Sequence, residues 1–222
     1  MNKIIRYYRP GDETAVSNIT YRTGFKGEDL TGRGFFDDQR LFFLLSIYYY
    51  ARFEPEHFFV IEKSGSGEVI GFICGTPDST TQEKRFIRTM AWRILLRALF
   101  VTLWRYPRTF KTLLTILKMY RAIQEHDRQA FYEQYPAHLH INLLPGCQGL
   151  GLGTELMRRF EEHMIRQGAW GLNLSTTNYN RKAIPFYEKL GFTLHRQIPF
   201  KHPTLADFQE LIYVKGLKQG DS

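Results

Sequence analysis

The sequence predicts an α/β chain: a central mixed sheet with helices on both faces. Three observations lead to that class. Short runs rich in Val, Ile, Phe and Tyr alternate with longer runs whose apolar residues recur every three or four positions. Two of the β-rich runs, HFFVIEK and VIGFICGT, are separated only by SGSGE, the pattern of an antiparallel hairpin. Further on, YPAHLHINLLPGCQGLGLG reads as strand, Pro-Gly turn, glycine loop and helix start, a unit that sets a helix against a sheet.

The elements follow in order. KIIRYYR, Lys3 to Arg9, is the first strand, and PGDETAVSNITYR opens a helix with Asp12 or Glu13 near its cap. TGFKGEDLTGRGFF places glycines at 24, 27, 32 and 34, which predicts a mobile loop, and DDQRLFFLLSIYYYARF a second helix. The hairpin comes next, then a basic helical insertion at about 82–134. A strand from Tyr135 leads into the glycine loop and a helix from about Gly153 to Gln167, whose Leu152, Leu156, Phe160 and Met164 recur at steps of four and must pack on the sheet. WGLNLSTT is a strand, NRKAIPFYEKLGF a short helix ended by Gly191, and TLHRQIP and FQELIYVK are closing strands.

The chain of 222 residues, 43% hydrophobic and 15% aromatic, is long enough to close one core and carries no low-complexity stretch, so residues 1–222 read as a single domain with that insertion. The amino terminus lacks the continuous apolar segment of a signal peptide, and a cytoplasmic location is expected. Cys74 and Cys147 have no metal-ligand spacing around them, so neither a metal site nor a disulfide framework is expected.

The net charge of +8 is local: Lys84 to Arg121 holds ten Lys or Arg and no Asp or Glu, leaving −2 for the remainder. The same segment contains RFIRTMAWRILLRALFVTLW, but Arg88, Arg93 and Arg97 would sit at bilayer depth, which argues against a span. Two readings stay open. The segment is a pair of helices packed on the domain with a solvated Arg stripe, or a basic amphipathic surface for a membrane or an acidic partner. Nucleic acid is a poorer fit, because the helices lack polar base-reading residues.

Glycines at 149, 151 and 153 stand where a held helix begins, and first-turn N–H groups favour an anion such as a pyrophosphate. A Walker loop needs a lysine before its Ser or Thr, whereas Thr154 follows Gly153; the dinucleotide fingerprint has a different third spacing. QGLGLG does fit Gln/Arg-x-x-Gly-x-Gly/Ala, with INLLP before it and NRKAIPFYEKLGF about 30 residues later. On these motifs the chain, specifically from about Tyr135 to Phe192, resembles the GCN5-related N-acetyltransferase (GNAT) family, whose sheet is mixed and mostly antiparallel and whose donor is acetyl-coenzyme A (acetyl-CoA). Within that family, EPEHFFVIEK with YPAHLHINLLPGCQGLGLG looks most like acetyltransferase-like domains found alone in bacteria and attached to O-GlcNAc hydrolases.

The resemblance implies that the backbone of Gln148, Gly149, Leu150, Gly151, Leu152, Gly153 and Thr154 holds the pyrophosphate. It implies that Leu143 and Leu144 bond the pantetheine arm and thioester carbonyl, that Asn180 meets the coenzyme, and that Tyr187 protonates the departing thiolate. Arg181 and Lys182 are within reach of coenzyme phosphates or merely solvated, and Asn180 is otherwise a helix cap. A phenol of pKa about 10 stays protonated at neutral pH, as an acid requires. An attacking amine also needs a base. His138 and His140 share one strand face, and AHLH resembles the His-x-His of arylalkylamine acetyltransferases, one residue closer to the glycine loop; the alternative is a pair of hydrogen-bonded structural histidines. Glu54, Glu56 and Glu133 are weaker candidates. Glu28, Asp29, Asp37 and Asp38 are candidates for recognising an ammonium, or are solvated. The activity implied is transfer from acetyl-CoA to a primary amine in a ternary complex; the other reading is a non-catalytic acyl-CoA-binding module that uses the insertion to contact a partner or membrane.

Overall fold

The computed structural model describes residues 3–24, 27–34, 36–123, 128–200 and 207–218, with the side chains of 116, 118–123 and 200 set aside. Residues 25, 26 and 35 of the glycine-rich loop, and the side chains of Lys118 and Arg121, thus lie outside the described residues.

The elements are β1 (Lys3–Tyr7), α1 (Glu13–Arg22), α2 (Gln39–Ser46), α3 (Tyr48–Phe53), β2 (Phe58–Lys63), β3 (Val69–Thr76), α4 (Ser79–Arg97), a π-helical turn Ala98–Thr102, α5 (Leu103–Arg105), α6 (Pro107–Ile123), α7 (Arg128–Gln134), β4 (Ala137–Leu143), α8 (Leu152–Arg166), β5 (Gly171–Thr177), α9 (Ala183–Lys189), β6 (Thr193–Phe200) and β7 (Phe208–Gly216). They form one seven-stranded sheet in the order β1-β2-β3-β4-β5-β7-β6, with β4–β5 as its parallel pair. The mixed sheet expected from the sequence is present.

Each sheet face carries its own core. On one, Leu139, Leu172 and Leu174 meet Leu152, Leu156, Phe160 and Met164 of α8 and Tyr187 of α9. Those four α8 residues are buried, as their spacing of four requires. On the other face Phe58, Val60 and Phe72 meet α1, α2, α3 and Met90 of α4. A third cluster joins Tyr21, Leu30, Phe36 and Leu41 to Ala98 and Leu113 of the insertion. In the loop between α1 and α2, expected to be mobile, the described Leu30 and Phe36 are buried against this cluster, their apolar side chains withdrawn from water.

The single helix expected over DDQRLFFLLSIYYYARF is two, broken at Ile47 (φ −120, ψ −28). Asp38 starts the first of them by accepting from the Leu41 amide at 3.0 Å. The same carboxylate takes the Arg97 guanidinium (2.7 Å) and the Thr102 hydroxyl (2.7 Å), fastening the insertion to α2.

Candidate active site

Strand β4 keeps its antiparallel register with β3 from Thr76↔His138 to Gly71↔Leu143. With β5 it pairs only at Ala137↔Leu172 and His138↔Asn173, although β5 continues to Thr177. The two strands therefore part, and a seam opens between them. The Leu144 amide donates to the Ile70 carbonyl at 3.0 Å. Because donors alternate sides along an antiparallel pair, the even-numbered amides of β4 face β3 and those of Ile141 and Leu143 face the seam. Leu143 thus presents backbone to the opening, whereas the Leu144 amide is taken up within the sheet. The Leu143 carbonyl accepts from the Gln148 side chain at 3.1 Å, which ties the strand end to the loop beyond it.

That loop turns through a 3-10 segment, Pro145–Cys147, and enters α8 with Gly151 at the N-cap. Gly149 and Gly151 both have φ of 77°, a conformation that L side chains rarely adopt, and the space beside each is open. Leu150 between them is exposed. The first turn of α8 begins at this mouth, its dipole favouring negative charge. Gly153 differs from the reading of three equivalent glycines. It is buried, and a Cβ there would come 3.0 Å from Phe186 and 3.4 Å from Leu143, so its lack of a side chain serves helix packing.

Asn180 sits at the start of α9, its carbonyl oxygen taking the amides of Ala183 (3.0 Å) and Ile184 (3.3 Å) and its side-chain oxygen taking Ala183 again at 3.3 Å. These bonds close the turn that leads into α9, whose N-cap residue is Lys182. Asn180 also meets the α1–α2 loop, since a Cβ on Gly27 would lie 3.1 Å from its Oδ1. Arg181 and Lys182 are exposed beside it. Tyr187 is buried, its ring centroid 5.4 Å from Phe186, 5.9 Å from Phe192 and 6.2 Å from Tyr213. Burial pushes its phenol well above the ordinary value, so it keeps its proton at neutral pH.

Leu139, Ile141 and Leu143 pack toward α8 and α9. Alternation therefore sends His138, His140 and Asn142 to the opposite face, where His140 meets the Tyr50 ring at 5.4 Å and Asn142 donates to Thr23 at 2.7 Å. The two imidazoles are edge to face, 4.8 Å apart. Burial lowers the pKa of both. His140, which also feels the charge of His138, is pushed down to about 3. Both are neutral at pH 7.

Asn173 decides which nitrogen of His138 carries its proton. Its amide NH2 donates to the carbonyls of Tyr135 (2.8 Å) and Ala137 (3.0 Å), groups that only accept. Its oxygen must then be the atom 2.8 Å from His138 Nδ1, so Nδ1 bears the hydrogen and Nε2 carries the lone pair. The sequence reading missed Asn173; the only signal was one amide within an otherwise apolar strand start. It also missed Glu210, the register partner of Thr177, which projects to the same face as Asn173 and Ser175. Burial raises the Glu210 carboxyl, while Ser175 and Arg128 pull it back. Beside it, Thr177 Oγ1 is buried and has no hydrogen-bond partner among the described residues.

The acidic candidates separate. Glu54 is buried, takes the Tyr49 hydroxyl at 2.6 Å, and is raised by desolvation. Glu133 is exposed on α7, and Glu56 belongs with the distant His57–His163 pair, whose rings bond at 2.8 Å. Asp38 is engaged by Arg97, Asp29 by Thr31 and Arg22, and Glu28 by Arg33. Their partners account for those three without an acceptor ammonium.

The structure thus combines a mixed sheet whose parallel strands part with a helix that starts at a glycine. The fold is that of the GNAT acetyltransferases. The model of the acetyltransferase (GNAT) family matches residues 119–192, the stretch holding β4, the glycine loop, Asn180 and Tyr187. Among solved structures, SsHAT is similar at 27% identity and TM-score 0.73, over 98% of this chain and 100% of that one. Naa20 from Chaetomium thermophilum, in complex with a bisubstrate analogue, is similar at 20% identity and TM-score 0.57, over 97% and 87%. The protein yncA from Salmonella typhimurium, solved with its cofactor acetyl-CoA, is similar at 16% identity and TM-score 0.59, over 100% and 98%. The family model matches residues 119–192 and SsHAT is similar at 27% identity, so what these likenesses show is a GNAT-type acetyltransferase fold.

Proposed function

We propose that the protein transfers an acetyl group from acetyl-CoA directly to a primary amine, both substrates being bound at once. The parting of β4 from β5 directly below the glycine loop carries this reading. It leaves backbone groups facing a slot whose outer end is a helix start suited to phosphate. When bound, acetyl-CoA supplies an activated acetyl group as a thioester.

In this reading the amides from Gln148 to Thr154 take the pyrophosphate, with Lys182 at the rim and Asn180 beside it. The Leu143 amide meets the thioester oxygen, where a fixed donor is worth most as charge develops. His138 Nε2 removes a proton from the acceptor as its nitrogen bonds to the acetyl carbon. Tyr187 gives its proton to the sulfur as the C–S bond breaks, and proton exchange with solvent after product release returns both residues to their starting states. His140 lies against His138 and Tyr50 and holds that ring in place. Glu210 and the Thr177 hydroxyl are the polar groups that would orient an acceptor nitrogen on this face.

The test is titration with acetyl-CoA by calorimetry, then thiol release over a series of amines and amine-bearing peptides. Tyr187→Phe is expected to lower turnover on the order of a hundredfold while leaving coenzyme affinity unchanged. Undiminished turnover removes the acid role. Tight coenzyme binding with no thiol release from any amine would instead support the acyl-CoA-binding module.

A further inference from the structure

Unlike an ordinary surface helix, the insertion is apolar on its outward side as well as on its inward one. Its inward side holds Met90, Ala98, the buried Thr102 and the Arg97–Asp38 ion pair. Its outward side holds Trp92, Leu95, Leu99, Phe100 and Trp104, of which Phe100 is 73% and Trp104 77% exposed. Leu114 and Leu117 of α6 are exposed as well. The solvated Arg stripe that the sequence allowed is thus only part of this surface. Soluble monomers rarely leave such a run of large apolar side chains bare.

The charges indicate what covers it. Along the chain, exposed Lys84, Arg85 and Arg88 precede the apolar stretch, and exposed Arg105, Arg108 and Lys111 follow it. No Asp or Glu occurs from Lys84 to Arg121. Arg93 lies 4.7 Å over the Trp92 ring, a cation on an interfacial aromatic. Two copies meeting face to face would bring like charges together with no carboxylate between them. A bilayer interface suits every component: tryptophan and aliphatic side chains settle below the headgroups while Lys and Arg meet anionic lipids. Among the described residues no helix is long and apolar enough to cross a membrane.

We propose that α4 to α6 dock the protein on an anionic membrane surface. Flotation of the full chain with vesicles of phosphatidylcholine, alone or mixed with phosphatidylserine, tests it. The expected result is co-flotation with the mixed vesicles only, weakened by salt and accompanied by a blue shift of tryptophan emission. The double variant Phe100→Glu, Trp104→Glu should lose at least about tenfold in binding while unfolding at the same temperature, because neither side chain is in the core. Equal flotation with neutral and anionic vesicles, unchanged binding by the double variant, or no flotation at all would overturn the proposal. A stable dimer that the same double variant converts to monomer would also overturn it, in favour of a second copy.

Discussion

Asn173→Ala separates what the Asn173 amide does for the fold from what it does for His138. The substitution removes hydrogen bonds at 2.8 and 3.0 Å to the carbonyls of Tyr135 and Ala137 and at 2.8 Å from His138 Nδ1, besides a longer one at 3.4 Å to the Ser79 hydroxyl. Each group left behind sits in or beside the core, and an unmet buried partner costs about 1 kcal/mol or more, so stability should fall by about 3 kcal/mol. The catalytic effect has a different origin. Without an acceptor at Nδ1 the imidazole no longer has one preferred tautomer or orientation, and a misplaced base forfeits on the order of a hundredfold in turnover. Thiol-release kinetics from pH 6 to 9 and urea unfolding measure the two losses, with KM for acetyl-CoA expected to hold. His138→Gln keeps an N–H for the Asn173 oxygen but no base, and should lose the activity while retaining most of the stability. Asn173→Ala with the stability loss but undiminished turnover at every pH would refute the positioning role.

Two further outcomes follow from buried charge. Arg97→Met should cost about 3 kcal/mol in urea unfolding, since it strands an Asp38 that is 1% exposed, and Asp38→Asn in the same chain should recover part of it; a loss below about 1 kcal/mol would mean the ion pair does not fasten the insertion. Stability should also decline as pH falls below about 6.5. His140 and His163, pushed down to about 3 and about 4, stay neutral in the fold while the unfolded chain takes up protons near 6.5, so the unfolded state binds more protons and is favoured. Each contributes a slope of about 1.4 kcal/mol per pH unit. Glu54 and Glu210, raised by burial, act in the opposite direction near the bottom of that window. A flat stability between pH 7 and 5 would contradict the burial of both imidazoles.

Local periodicity made the helices and strands legible, because burial on one side writes itself into spacing. Leu152, Leu156, Phe160 and Met164 could face only inward, and all four are buried. The break at Ile47 left little trace, since apolar and aromatic residues run from Leu41 to Tyr50 with only Ser46 between them. The glycine loop was legible because positive φ at 149 and 151 demands a residue type. Gly153 carried the same letter for a different reason, the approach of Phe186, and that contact comes from a helix thirty residues later. Asn173 and Glu210 were hidden because their meaning is pairwise: β5 brings one beside His138 by parallel pairing, and β7 sets the other opposite Thr177. The insertion's amphipathicity could be read, but which side turned inward depended on Asp38, far away in sequence.

The arrangement of the polar residues bears on how an acetyl group would move. Tyr187 belongs to the face packed by α8 and α9, whereas His138 and Glu210 belong to the face packed by α1 and α3. An acid and a base on opposite sides of a sheet can serve one reaction only if the reacting atoms lie within the sheet, and β4 and β5 are neighbouring strands whose pairing ends early. A covalent route would need a nucleophile at the same seam. Cys74 is fully buried toward the helical face, and desolvation pushes its thiol far above the ordinary value, so it stays protonated and unreactive. Cys147 is buried beneath the glycine loop, past the end of β4. The proposed reaction accordingly runs by direct attack of the acceptor, with proton removal from one face and proton delivery from the other.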